Sequence, residues 1–107
     1  MNTITVTELA QWLSSESDNQ PVLLDVREPW EVEIATLPDS LCIPMGQIPE
    51  RSDEIPDNRP IVCICHHGVR SLQVAVFLSR EKESDIINLT GGIDAWSRQV
   101  DSACATY

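Results

Sequence analysis

The run Ile61-Val62-Cys63-Ile64 is apolar at every position. A strand of this kind is typical of the centre of a parallel sheet, where both faces are buried. Further short and mostly apolar runs occur at Val22–Leu24, Leu41–Ile43 and Ile86–Leu89, and segments with helical patterns separate them. Strands that alternate with helices along a chain favour an α/β domain with a mainly parallel sheet.

The helical segments carry their own signals. Thr5 and Glu8 have the spacing of a capping box ahead of an amphipathic helix. A second helix is predicted from Pro29, because proline is favoured at the first helical position. A short helix is predicted over Glu50–Ile55. The segment Ser71–Glu81 has apolar residues on most faces, which predicts a deeply buried helix.

Length and composition limit the class of protein. The 107 residues predict one domain over 1–107, with a flexible tail at about 101–107. The formal net charge of −10 disfavours nucleic acid and anionic membranes as partners. The first residues lack the pattern of a signal peptide, and no stretch approaches the length of a membrane span. We therefore expect a cytoplasmic protein with reduced cysteines.

The segment from Cys65 to Ser71 joins the run 61–64 to the predicted buried helix. In open α/β sheets, ligands bind beyond the carboxyl ends of the strands. A loop that curls into a helix N-terminus turns N–H groups inward and forms a cradle for anions. Gly68 permits a tight curl, and Arg70 supplies a planar fork for oxyanions. Cys65 is therefore predicted to attack the sulfur of a sulfane donor or the phosphorus of a phosphate ester.

Simpler interpretations of the same residues stay open. A free cysteine is often a small buried hydrophobe, which is our expectation for Cys42 and Cys63. Arg70 is also consistent with a surface salt bridge of little energetic weight. A zinc site that uses the histidines after Cys65 is disfavoured, because no second Cys/His pair completes a tetrahedral set.

Three segments together resemble the rhodanese family of sulfurtransferases. Cys65-His66-His67-Gly68-Val69-Arg70-Ser71 is similar to the family's active-site loop, in which four residues separate a cysteine from an arginine. Leu23-Leu24-Asp25-Val26-Arg27-Glu28 resembles an early strand-end signature. Leu89-Thr90-Gly91-Gly92-Ile93-Asp94-Ala95-Trp96 resembles a late Gly-Gly turn followed by a helix. The resemblance extends from about Ile4 to Trp96.

The resemblance implies a mainly parallel sheet of about five strands, flanked by helices on both faces. It implies that a persulfide on Cys65 carries sulfur from thiosulfate or a persulfide donor to a thiol or cyanide, with no metal or organic cofactor. Arg70 would orient the donor and stabilise its charge. Asp25 and Arg27 would give structural support. The rest of the substrate-binding loop would be His66, His67, Gly68, Val69 and Ser71.

One segment departs from the family pattern, and two other classes of function compete. The stretch Ala35–Ser40 stands where the family often has Gly-His-Ile-Pro-Gly, which puts the geometry of that turn in question. A tyrosine phosphatase usually has five residues between its cysteine and arginine, and the shorter loop here suits a terminal sulfur better. A non-catalytic sulfur carrier or sensor that serves one sulfur-relay partner is the other alternative. An inactive binding domain is disfavoured by the intact Cys65 and Arg70.

Overall fold

The computed structural model describes residues 1–16 and 18–107. Its centre is a sheet of five parallel strands in the order β1-β5-β4-β2-β3. The strands are β1 (Asn2–Ile4), β2 (Val22–Asp25), β3 (Leu41–Cys42), β4 (Ile61–Ile64) and β5 (Ile86–Leu89). The apolar run 61–64 is thus the middle strand, paired on both edges, as its composition predicts.

Among the described residues, four α-helices connect the strands and a fifth follows β5: α1 (Val6–Ser14), α2 (Pro29–Ile34), α3 (Ile48–Arg51), α4 (Val69–Glu81) and α5 (Gly92–Gln99). The predicted capping box begins α1, where the Glu8 amide donates to Thr5 Oγ1 at 3.2 Å and the Thr5 amide donates to Glu8 Oε1 at 2.9 Å. Within the described ranges, no helix combines the length and apolarity needed to cross a membrane.

Two apolar layers cover the two faces of the sheet. Along β2 and β4 successive side chains alternate between the layers, because strand side chains point to opposite faces. Leu24 and Cys63 lie in the layer that contains α4, whereas Leu23 and Val62 lie in the layer with α1 and α5. The predicted α/β fold, with a mainly parallel sheet flanked by helices on both faces, is therefore confirmed.

Two local predictions are corrected. Helix α4 is not buried on all sides: it packs on one face of the sheet, and its outer side leaves Val69, Leu72 and Val76 67%, 39% and 40% exposed. The short helix predicted over Glu50–Ile55 lies earlier in the chain. A 3-10 turn at Met45–Gln47, α3 and a second 3-10 turn at Ser52–Glu54 follow one another there.

A close approach between backbones fixes the loop after β4. The carbonyl oxygens of Cys65 and His66 accept hydrogen bonds from the amides of Ile93 and Asp94 at 2.9 and 3.0 Å. Gly92, at φ +60°, allows this contact, because a Cβ at that position would overlap both carbonyl oxygens. The first turn of a helix has amides without partners inside the helix. In α5 these amides donate to the loop carbonyls, so both sets of groups are hydrogen-bonded.

Replacing Gly92 with alanine should therefore destabilise the fold. The new Cβ meets backbone atoms that have no freedom to move aside, and the positive φ adds a penalty, so we expect a loss of about 2–4 kcal/mol in unfolding free energy. Urea unfolding followed by circular dichroism measures this loss. Gly46→Ala is the matched control, because a Cβ there meets nothing within 4 Å. Equal losses for the two variants would contradict the role assigned to Gly92.

Candidate active site

Cys65 follows the last residue of β4 and is 1% exposed. Its Sγ accepts a hydrogen bond from the Gly68 amide at 3.0 Å. Gly68 makes this contact at φ +98°, a left-handed conformation that glycine adopts without steric cost. The loop therefore curls back on the cysteine, and a backbone donor of the kind that stabilises a sulfur anion points at Sγ.

A buried polar pair fixes the loop from the neighbouring strand. Asn88 on β5 donates from Nδ2 to the Gly68 carbonyl at 3.0 Å, and its Oδ1 accepts from Ser71 Oγ at 2.5 Å. Ser71 Oγ also lies 3.3 Å from Cys65 Sγ. Since Asn88 and Ser71 are 5% and 0% exposed, these bonds have little competition from water. Ser71 thus links the sulfur to the sheet.

Asp25 and Arg27 form a buried ion pair at the end of β2, with Arg27 NH2 2.6 Å from Asp25 Oδ2. The same guanidinium donates to the carbonyl oxygens of Glu31 at 3.3 Å and Ala35 at 2.6 Å. Thr36 Oγ1 donates to Asp25 Oδ2 at 3.3 Å. The pair thus ties the end of β2 to the C-terminal half of α2.

The turn that departs from the rhodanese pattern is held by its own residues. Asp39 has φ +62° at the place of the second glycine, and aspartate tolerates this conformation better than most side chains. Thr36 stands in the histidine's place, and its hydroxyl supplies the bond to Asp25. The replacement therefore leaves a closed turn in which Leu37 is buried.

The Arg70 guanidinium is hydrogen-bonded to the carboxylate of Glu31. Its NH1 and NH2 groups donate to Glu31 Oε1 and Oε2 at 2.6 and 2.8 Å, and the pKa of Arg70 is raised by these bonds. The same contacts lower the pKa of Glu31 to about 2, so this carboxylate is ionised at neutral pH. Arg70 therefore forms a bidentate ion pair with a buried partner, and its role in orienting a sulfur donor stays a prediction.

Aromatic rings pack beside the loop. The His66 ring stacks on His67 at 3.9 Å and on Tyr107 at 4.0 Å between centroids. Tyr107 lies in the stretch 101–107, and its hydroxyl donates to Glu31 Oε2 at 2.6 Å and accepts from Arg27 NH1 at 3.0 Å. Burial raises the pKa of Tyr107 to about 12. This residue therefore joins the loop to the two arginine pairs.

The only group of metal-ligand type found among residues 1–16 and 18–107 lies on the outer side of the loop. Ligand atoms of His66, His67 and Asp94 lie within 4.8 Å of one another. Asp94 Oδ2 already accepts from Arg98 Nε at 3.0 Å, and this bond lowers the pKa of Asp94. A guanidinium at that distance opposes a second cation, so we assign no metal to the group.

The other cysteines differ from Cys65. Cys63 is fully buried in the core, and burial raises the pKa of its thiol to about 12, which keeps it protonated and unreactive. Cys42, at the end of β3, is exposed, so the expectation of a buried hydrophobe is wrong for this residue; partial desolvation still raises the pKa of its thiol. Cys104 lies partly exposed beyond α5. Within the described residues, Cys65 is therefore the cysteine whose sulfur receives a backbone amide from a loop at a strand end.

Comparisons with known proteins agree with this architecture. Residues 5–99 match the family described as Rhodanese-like domain. A protein from Allochromatium vinosum named Sulfurtransferase is 39% identical over 98 residues, covering 92% of this chain and 90% of the relative. The putative sulfur carrier protein YrkF of Bacillus subtilis is 34% identical over 86 residues, covering 80% of this chain and 46% of that relative.

A solved structure extends the likeness. The crystal structure of a rhodanese-like domain protein from Staphylococcus aureus superposes with a TM-score of 0.84 at 29% identity, covering 100% of this chain and 99% of that one. The chain thus has the α/β fold of this class of domain. It belongs to the rhodanese-like family. The relatives of this chain include a protein named Sulfurtransferase and a putative sulfur carrier protein.

Three residues of the site have no counterpart in the sequence-based prediction. Glu31 accepts hydrogen bonds from Arg70, and Asn88 is hydrogen-bonded to Gly68 and Ser71. Tyr107 donates to Glu31 and stacks on the ring of His66. Only Asn88 is recognisable in the sequence, because an amide side chain in a strand of otherwise apolar residues needs a buried hydrogen-bond partner. Glu31 and Tyr107 lie far from the loop in sequence, and no local pattern distinguishes them.

The Asn88 bonds can be tested by Asn88→Ala. The substitution leaves the Gly68 carbonyl and the Ser71 hydroxyl without their buried partner, so we expect a loss of about 1–3 kcal/mol in unfolding free energy. Asn58→Ala removes the same group from an exposed position and should change stability by less than about 0.5 kcal/mol. Urea unfolding measures both. Similar small effects would show that the Asn88 amide does not support the loop.

The Glu31 carboxylate should give stability a specific pH dependence. Its pKa lies at about 2 in the folded protein against an ordinary 4.5, so the unfolded chain takes up the proton first as pH falls. The contribution is complete above pH 4.5 and is lost towards pH 2. The stability gap between wild type and Glu31→Gln should therefore close over this range. A gap that does not change with pH would contradict the assignment.

Proposed function

We propose that the chain is a sulfurtransferase in which Cys65 carries a sulfane sulfur as a persulfide. The observation that supports this most directly is the Gly68 amide, 3.0 Å from Sγ, in a loop at the end of the central strand. Membership of the rhodanese-like family supports the same chemistry. The donor would be thiosulfate or a persulfide, and the acceptor a thiol or cyanide. A sulfur-relay protein is a further candidate partner.

The transfer occurs in two displacements with no external oxidant or reductant. The Cys65 thiolate attacks the outer sulfur of the donor, the donor's S–S bond breaks, and sulfite or a thiolate leaves with the electron pair. The Cys65 persulfide then gives its terminal sulfur to the acceptor, and the Cys65 thiolate is restored. Inward-facing amides of the loop, beginning with that of Gly68, stabilise the sulfur anion in each step.

A non-catalytic sulfur carrier is the second candidate. The sulfur carrier named among the relatives favours it, and so does the 1% exposure of Cys65, which restricts access to the sulfur. A carrier would load Cys65 once and release the sulfur only to its partner. An enzyme would load and discharge repeatedly with small acceptors. Turnover number with cyanide or a small thiol therefore separates the two functions.

Incubation with a sulfur donor should add one sulfur atom to Cys65. Intact and peptide masses measured without reductant locate the atom, and Cys65→Ser should lose both the added sulfur and transfer, because a hydroxyl is a far weaker nucleophile at neutral pH. Cys63→Ser tests a cysteine whose thiol is kept protonated, and it should keep the modification.

Two results would contradict this proposal. One is an added sulfur that maps to Cys42, Cys63 or Cys104 while Cys65 stays unmodified. The other is hydrolysis of an aryl phosphate that disappears in Cys65→Ser, which would indicate a cysteine-dependent phosphatase. The second assay is informative because the loop has four residues between Cys65 and Arg70, one fewer than tyrosine phosphatases usually have.

A further inference from the structure

Both outer nitrogens of the Arg70 guanidinium are occupied by an internal carboxylate. NH1 and NH2 donate to the two oxygens of Glu31 in the parallel geometry that a sulfonate or carboxylate ligand would otherwise adopt. The Arg70 side chain is 36% exposed, so an incoming anion reaches its surface. It finds the NH1 and NH2 pair of the guanidinium already bonded to Glu31.

The Glu31 carboxylate is fixed by hydrogen bonds from other residues besides Arg70. Tyr107 Oη donates to Oε2 at 2.6 Å, and the Glu28 amide donates to Oε1 at 3.1 Å. With the two Arg70 bonds, the carboxylate accepts four hydrogen bonds, and its side chain is 4% exposed. Releasing Arg70 for a ligand would leave a buried anion with fewer donors, which is costly.

The electrostatic balance beside the loop follows from this pair. Glu31 neutralises Arg70, and Asp25 neutralises Arg27 in the adjoining buried pair. A thiosulfate dianion that approaches Arg70 would therefore share the guanidinium with a fixed negative charge and would be repelled by it. A protonated persulfide brings no sulfonate and needs no arginine fork. Of the two donor classes that the proposed function leaves open, thiosulfate is therefore repelled by the Glu31 charge and a protonated persulfide is not.

We propose that Glu31 is a specificity-determining residue, which selects persulfide donors over thiosulfate by occupying the Arg70 fork. This inference rests on the proposed function. The favoured loading step is attack of the Cys65 thiolate on the terminal sulfur of R–S–SH. The S–S bond breaks, R–S⁻ leaves with the electron pair, and the proton stays on the new Cys65 persulfide, so atoms and charge balance.

The test compares the donor preference of three proteins. Wild type, Glu31→Gln and Glu33→Gln are each mixed with thiosulfate or with glutathione persulfide, and the quenched-flow mass shift gives the rate constant for adding one sulfur to Cys65. Glu31→Gln removes the charge but keeps the shape of the side chain. The ratio of the thiosulfate to the persulfide rate constant should rise about tenfold or more. The reason is that the charged Glu31 acceptor no longer competes with thiosulfate for the Arg70 N–H groups.

The matched control is Glu33→Gln, which removes one negative charge from an exposed position of the same helix, α2. It should leave the donor ratio within about twofold of wild type, because an exposed charge is screened by salt. A similar rise in Glu33→Gln would assign the effect to net charge and would overturn the inference. So would a fall of the ratio in Glu31→Gln, which would mean that Glu31 prepares Arg70 for thiosulfate.

Wild type provides a second measurement that does not depend on folding of the variant. Each donor's rate constant is divided by its rate constant with free cysteine, and this normalised rate should be at least about tenfold higher for the persulfide. A normalised preference for thiosulfate would overturn the inference while leaving the proposed function intact. Failure of both donors to load Cys65 would instead overturn the proposed function, and the inference with it.

Discussion

The hydrogen-bonded position of β4 between β5 and β2 is the constraint on which the rest of the molecule depends. A strand paired on both edges and covered on both faces ends at a fixed point in the core. The chain must leave the sheet there, and it does so at Cys65. The position of the Cys65 sulfur therefore depends first on the burial of apolar surface along β4.

Polar groups then convert this position into a site. Gly68, Ser71 and Asn88 connect the sulfur to β5 through short buried bonds, while the carbonyls on the other side of the loop are met by the first turn of α5. Two arginine–carboxylate pairs adjoin the loop, and each places a cation against an anion. The result is a loop in which the Gly68 amide and the Ser71 hydroxyl face the sulfur, while Glu31 largely neutralises the guanidinium of Arg70.

The sequence predicted the features that depend on local patterning. The central strand, the α1 cap, the Gly-Gly turn and the loop that carries Cys65 all follow from apolar periodicity or from residues with special backbone preferences. Contacts between distant segments were not predictable in this way. The pairing of Arg70 with Glu31 spans 39 positions and that of Tyr107 with Glu31 spans 76, and nothing local to either residue encodes it. The outer face of α4 was misjudged because composition does not say how many neighbours a helix has.

The exposed side of the loop has a consequence for which residues can be exchanged. The cradle is built from main-chain amides and carbonyls, together with Gly68, Gly92 and the buried Ser71 and Asn88. His67 and Val69, by contrast, project outward between these fixed points. Substitution of Val69 would thus leave the hydrogen bonds of the cradle in place, whereas substitution of His67 would remove its stack on His66. The same backbone framework can therefore present a different side chain at Val69 without rebuilding the geometry that holds the sulfur.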